Sequence, residues 1–104
     1  MRAYRNFSEV EADYFRDHPE EIDSYISLIF EEYAKDGDTG ALLSSLRILC
    51  RVKGISKIAK EARLSRKSVQ KALSETGNLE FASVNAIIQS IGYRLVPQKI
   101  DASN

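Results

Sequence analysis

Between Ser65 and Lys71 the chain reads Ser-Arg-Lys-Ser-Val-Gln-Lys, a run in which every side chain but Val69 can donate a hydrogen bond. Wound into a helix, this run places Arg66, Lys67 and Gln70 in the first turns. An arginine fork there fits the two acceptors of guanine and a glutamine amide fits adenine, each pairing giving about 1–3 kcal/mol of base discrimination. Ser65, Ser68 and Lys71, with Lys57 before them and Asn78 after, suit phosphate oxygens, which fix position without conveying sequence. The plainer alternative is a basic face that is simply solvated.

Such a helix must be held by a neighbour. The stretch Ser56 to Ala62 predicts a short helix capped by Ser56, Arg63-Leu64 predicts a turn, and Ser65 predicts the cap of the next helix. Ile58, Ala59, Ala62, Leu64, Val69, Ala72 and Leu73 fall at inward positions, with Ala59 and Ala62 small enough for close approach. Inward apolar residues and outward basic ones on two short helices describe a helix-turn-helix that offers its second helix to a groove about 12 Å wide. Arg63 stands where a left-handed turn favours glycine, so the turn carries some strain or has a slightly different geometry.

Charge is segregated along the chain. Equal numbers of basic and acidic residues, 15 each, give no net charge, yet residues 1–46 hold four basic residues against eleven acids and residues 47–71 hold nine against one, Glu61. The basic segment suits phosphate and the acidic one a basic partner, unless the two simply neutralise one another. At 104 residues the chain has room for one modest core. No run of about eighteen apolar residues predicts a membrane span, and the N-terminus has no apolar stretch of a secretory signal, so a cytoplasmic protein is expected. Cys50 lies among Leu46, Leu49 and Val52 and reads as a core thiol; His18, before Pro19, reads as a surface residue near a helix start. No Cys/His cluster, Ser-His-Asp set, paired carboxylates in a pocket context or phosphate-binding glycine loop is present, so neither metal, cofactor nor enzymatic activity is expected.

The elements around this core are read from periodicity. Residues 1–19 carry Tyr4, Phe7, Tyr14 and Phe15 without a long periodic run and read as an N-terminal arm. From Pro19 to Lys35 the spacing of Ile22, Tyr25, Ile26, Ile29, Phe30 and Tyr33 predicts an acidic amphipathic helix. Asp36 to Gly40 predicts a turn, with Asp38 or Thr39 capping a helix that ends at Gly54 and buries Leu42, Leu43, Leu46, Leu49 and Cys50. A last helix, Phe81 to Ile91, aligns Val84, Ile87, Ile88 and Ile91. Tyr93 to Val96 alternates as a short β-strand would, and residues 98–104 read as a flexible tail. The fold class is thus all-α, five helices with a short C-terminal strand, residues 20–97 forming the folded domain.

The stretch SKIAKEARLSRKSVQKALSETGNLEFASVNAIIQSIGYRL resembles the helix-turn-helix domain of Cro/C1-type, lambda-repressor-like proteins. It is most similar to the HigA-like, addiction-module antidote branch of the XRE class, over roughly residues 14–97. That resemblance implies an antitoxin that neutralises a small basic toxin of the RelE/ParE type and represses its own operon on double-stranded DNA. The partner face would then be Tyr25, Ile29, Phe30 and Tyr33, although these four residues serve equally to pack on the domain's own core or on a second subunit. It also implies a homodimer, to which Tyr93, Leu95 and Val96 would contribute by strand pairing. A phage-type repressor without a toxin partner is the alternative.

Overall fold

The computed structural model describes residues 7–74 and 80–100, with the side chains of Phe7 and Ser8 outside the description. These residues form six α-helices and a single 3-10 turn: α1 Phe7–Asp17, the turn Pro19–Glu21, α2 Ile22–Asp36, α3 Thr39–Lys53, α4 Ile55–Ala62, α5 Arg66–Ala72 and α6 Phe81–Ile91. Among the described residues no helix is long and apolar enough to cross a membrane.

Helix α3 is the centre. Leu43, Leu46, Leu49 and Cys50 are buried along it and meet Ile26 and Ile29 of α2, Ile58 and Ala59 of α4, Val69 and Ala72 of α5, and Val84, Ile87 and Ile88 of α6 in one core. Its ends are set by local chemistry. The Asp38 carboxylate accepts from the Ala41 amide at 3.1 Å, an N-cap. At the other end Gly54 adopts φ 106° and its amide reaches the Cys50 carbonyl at 2.7 Å. Because Gly54 turns the chain within one residue and its carbonyl already accepts from Ile58 at 3.0 Å, α4 begins at Ile55. Ser56 therefore lies inside the first turn and does not cap it, contrary to the sequence expectation. Burial pushes the Cys50 thiol up to about 12, which leaves it protonated and inert at neutral pH.

Two expectations are corrected. The five helices become six, because residues 7–17 form α1 where an arm was expected. Ala12 and Phe15 bury against the domain, the Phe15 ring lying 4.6 Å from that of Tyr25. Arg16 donates to the Arg51 and Val52 carbonyls at the end of α3, satisfying groups that a helix C-terminus leaves unpaired. Helix α1 stops before His18, which Pro19 excludes from helical geometry and which adopts φ −131°, ψ 60°. The His18 ring stacks on Tyr14 at 4.2 Å.

The second correction is the C-terminal strand: residues 93–100 carry no regular secondary structure, and no strand occurs among the described residues. The alternation of Tyr93 to Val96 is nevertheless reproduced in burial, with Tyr93 and Leu95 packed against the core and Arg94 and Val96 exposed. A period of two reports one-sided burial. Here that side is a helical surface, against which Tyr93 and Leu95 pack. The Tyr93 hydroxyl donates to Asp23 of α2, and burial together with that carboxylate raises the phenol to about 12.

The depth of α3 sets a quantitative expectation. Leu46 has 0% exposure, so Leu46→Ala should cost about 2–5 kcal/mol of unfolding free energy in urea titration, through lost burial and the cavity left behind.

Candidate nucleic-acid interface

Helices α4 and α5 have eight and seven residues, lengths at which an isolated helix does not persist in water, so their geometry comes from their ends and their neighbours. At the turn, the Leu64 amide bonds the Ala59 carbonyl at 2.8 Å and the Arg63 amide bonds Lys60 at 3.3 Å. This is a Schellman ending, and Arg63 fills its left-handed position at φ 60°, ψ 42°, the one non-glycine residue with positive φ among the described residues. The end of α6 repeats the motif with Gly92, whose amide bonds Gln89 at 3.0 Å while Tyr93 bonds Ile88 at 3.1 Å. The strain expected at Arg63 from the sequence is thus present in the backbone.

Helix α5 then starts with Ser65, whose hydroxyl accepts from the Ser68 amide at 2.9 Å and lies 2.9 Å from the Ser68 hydroxyl. Val69 and Leu73 are fully buried and Ala72 nearly so, while Ser65, Arg66, Lys67, Ser68, Gln70 and Lys71 are all exposed. Lys57 is exposed on α4; Asn78 lies outside the described residues. The Ser65 hydroxyl thus caps the helix and donates to the Ser68 hydroxyl, while the four longer polar side chains of α5 face outward.

The basic segment divides in two. Three of its cations sit on α3 and serve the chain itself. Arg47, partly buried, donates to the Leu73 carbonyl at 2.5 Å and to the Ser44 hydroxyl at 3.1 Å. Lys53 pairs with Glu61 of α4 at 2.7 Å and donates to the Ser90 carbonyl of α6. Arg51, half-buried, lines a cavity with Glu9 and Asp13 of α1. The other six, Lys57, Lys60, Arg63, Arg66, Lys67 and Lys71, are exposed on α4, the turn and α5. Glu61, the acid of this segment, is turned to Lys53, whose hydrogen bond holds its carboxyl below the ordinary value. The outer surface of α4, the turn and α5 is therefore cationic, and its one carboxylate is paired with Lys53 of α3.

The four residues assigned to a partner face separate. Ile29 is buried in the core. Tyr25, Ile29 and Tyr33 line a groove between α2 and the start of α3, together with Leu28 and Leu42, and Glu32, Asp36 and Asp38 lie along it. Phe30 faces the other side of α2, in a groove with Ile26, Ile88 and the extended residues 93–96. Leu28, 51% exposed, was missed because it falls between the apolar positions that define the helix's inner face. Of the residues assigned to dimerisation, Tyr93 and Leu95 are covered by their own domain and Val96 is 68% exposed.

These elements define an all-helical protein in which two short helices, α4 and α5, are joined by a tight turn with a cationic outer face. Residues 6–99 match the protein family described as "probable addiction module antidote protein", and the chain belongs to that family. It has the role of an antitoxin, and such a family implies a cognate toxin as partner. It is also similar to an uncharacterized protein of Haemophilus influenzae, 34% identical over 80 residues that cover 77% of this chain and 78% of the relative. No solved structure matches the chain.

The two Schellman turns differ in the residue at the left-handed position, which gives a signed expectation. Arg63→Gly should raise stability by about 1 kcal/mol, whereas Arg63→Ala should give no comparable gain. Ser65→Ala should lower stability by about 1 kcal/mol through loss of the cap. Urea midpoints of the three variants at constant slope check the set.

Proposed function

We propose that this antitoxin is a cytoplasmic, non-enzymatic homodimer with two binding activities: it neutralises a small basic toxin of the RelE/ParE type by direct contact, and it represses its own operon by laying α5 in the major groove. The observation that carries the DNA half is the exposed cationic surface of α4, the turn and α5, whose carboxylate Glu61 is paired with Lys53. In this reading Arg66, Lys67 and Gln70 read base edges while Lys57 and Lys71, with Asn78, contact phosphates. Ser65 acts chiefly by capping α5, and Ser68 by accepting from the Ser65 hydroxyl, so that these side chains are presented. Half-sites would lie about 34 Å apart on one face of the duplex, as a two-fold dimer requires.

Membership of the antidote family supports the toxin half. The groove between α2 and α3 supports its placement, since exposed Leu28 and Tyr33 offer apolar area beside Glu32, Asp36 and Asp38, a combination that suits a basic amphipathic partner. Phe30, on the opposite side of α2, has no part in that groove.

One experiment with two arms tests both halves. Binding to duplex DNA from upstream of the chain's own gene is measured by fluorescence anisotropy at about 50 and about 200 mM salt, beside a random duplex of equal length. Wild type should prefer its own DNA and weaken steeply with salt, and the double change Arg66→Ala, Gln70→Ala should abolish the preference; an unaffected double variant sinks the base readers. In the second arm, calorimetry with the product of the adjacent gene should show tight binding that Glu32→Lys with Tyr33→Ala weakens about tenfold or more, DNA binding being unchanged. Normal DNA binding with no interaction between the two gene products would favour a phage-type repressor.

A further inference from the structure

Helix α5 has fewer than two full turns, so its direction depends on what holds its two ends. The N-terminal end is held locally by the Ser65 cap and the Schellman turn. The C-terminal end is held from a distance: the Arg47 guanidinium, rising from the middle of α3, reaches the carbonyl of Leu73, the C-cap residue of α5, while its second nitrogen bonds Ser44 on its own helix. A partly buried charged donor at the negative end of a helix is both a strong hydrogen bond and a favourable charge–dipole contact. The Ser44 bond fixes the plane of the guanidinium, so the carbonyl is met by an oriented fork on the most deeply buried helix.

We infer that Arg47 is a positioning residue for DNA binding: it contacts no phosphate, but sets the direction in which α5 presents Arg66, Lys67 and Gln70. By sequence it is one of nine cations in a basic segment and belongs to the electrostatic footprint. By geometry its donors are turned to Leu73 and Ser44. The inference rests on the DNA-binding reading above, and extends it to a residue that does not touch the ligand.

Salt dependence separates the two roles, because each phosphate contact contributes about −0.9 to the slope of log K against log salt, whereas a residue acting through another contributes none. The full-length protein and its Arg47→Met, Arg47→Lys and Lys71→Ala variants are titrated with the upstream duplex and the random duplex over a salt series. Arg47→Met keeps the stem and removes the charge. It should weaken binding to the upstream duplex about ten- to a hundredfold, lower its preference over random DNA, and leave the slope at the wild-type value. Lys71→Ala should do the reverse, reducing the slope by about one and keeping the preference. Arg47→Lys, which retains charge without the fork, should recover part of the preference. A slope reduced by about one in Arg47→Met, or unchanged affinity and preference, overturns the inference.

Hydrogen exchange gives a readout that needs no DNA. In Arg47→Lys, which keeps the charge in the core, the amides of Val69 to Leu73 should lose protection while those of α3 and α6 keep theirs. Equal loss everywhere would make Arg47 a general stabilising residue and overturn the inference. If wild type shows no preference for its own DNA, the DNA-binding reading fails, and the exchange result still decides whether Arg47 holds α5.

Discussion

The constraint on which the molecule depends is that its outward-facing helix-turn-helix is made of pieces too short to stand alone. Helices of seven and eight residues gain little from their own hydrogen bonds, so α4 and α5 exist through burial of Ile58, Ala59, Val69, Ala72 and Leu73 against α3 and α6. Burial is non-directional and would tolerate several orientations of so short a helix. Direction comes instead from hydrogen bonds at defined atoms: Asp38 and Gly54 at the ends of α3, the Schellman turn at Arg63, the Ser65 cap, Lys53 with Glu61 and Ser90, and Arg47 with Leu73. The apolar core makes the domain stable, and this second set fixes which face α5 shows.

That division explains why charge is distributed as it is. A basic cluster of nine on a small domain would repel itself if all of it faced the same solvent. Two of the three members on α3, Arg47 and Lys53, are instead placed against carbonyls or a carboxylate of neighbouring helices, where a cation near a helix C-terminus is favourable, and the third, Arg51, is half-buried. Arg16 does the same from α1, capping α3 where Arg51 and Val52 leave carbonyls open. The six on α4, the turn and α5 remain outside.

How much of this was legible in the sequence follows from the range of the forces involved. Helices α2 to α6 were readable because each buries apolar residues at helical spacing, and the cap at Ser65, the stop at Gly54 and the cap offered by Asp38 or Thr39 are local chemistry. Helix α1 was not, because its buried residues Ala12 and Phe15 and the long-range reach of Arg16 leave no repeating pattern. The C-terminal segment misled because alternation cannot say whether the covering surface is a sheet or a helix; Tyr93 and Leu95 lie on a helical one. On the candidate site, exposure of Arg66, Lys67, Gln70 and Lys71 could be read from their phase against Val69, Ala72 and Leu73. That Arg47 and Lys53 turn inward could not, since their partners Leu73, Glu61 and Ser90 lie 8 to 37 residues away and become neighbours only when the helices pack.

The same packing keeps the acidic and basic faces structurally independent. Helix α2 packs on α3, whereas α5 packs on α4 and α6. Leu28, Glu32 and Tyr33 form none of the contacts that cap, turn or tether α5. Arg66 and Gln70, exposed on α5, likewise take no part in burying Ile26 and Ile29. A substitution on either outer face therefore leaves the supports of the other in place. Helix α3, with Leu43 and Leu49 turned into the core and Arg47 and Lys53 reaching α5, α4 and α6, is the element where one change would disturb both. On the proposed reading, the two surfaces each have their own helices and a single buried helix answers for both.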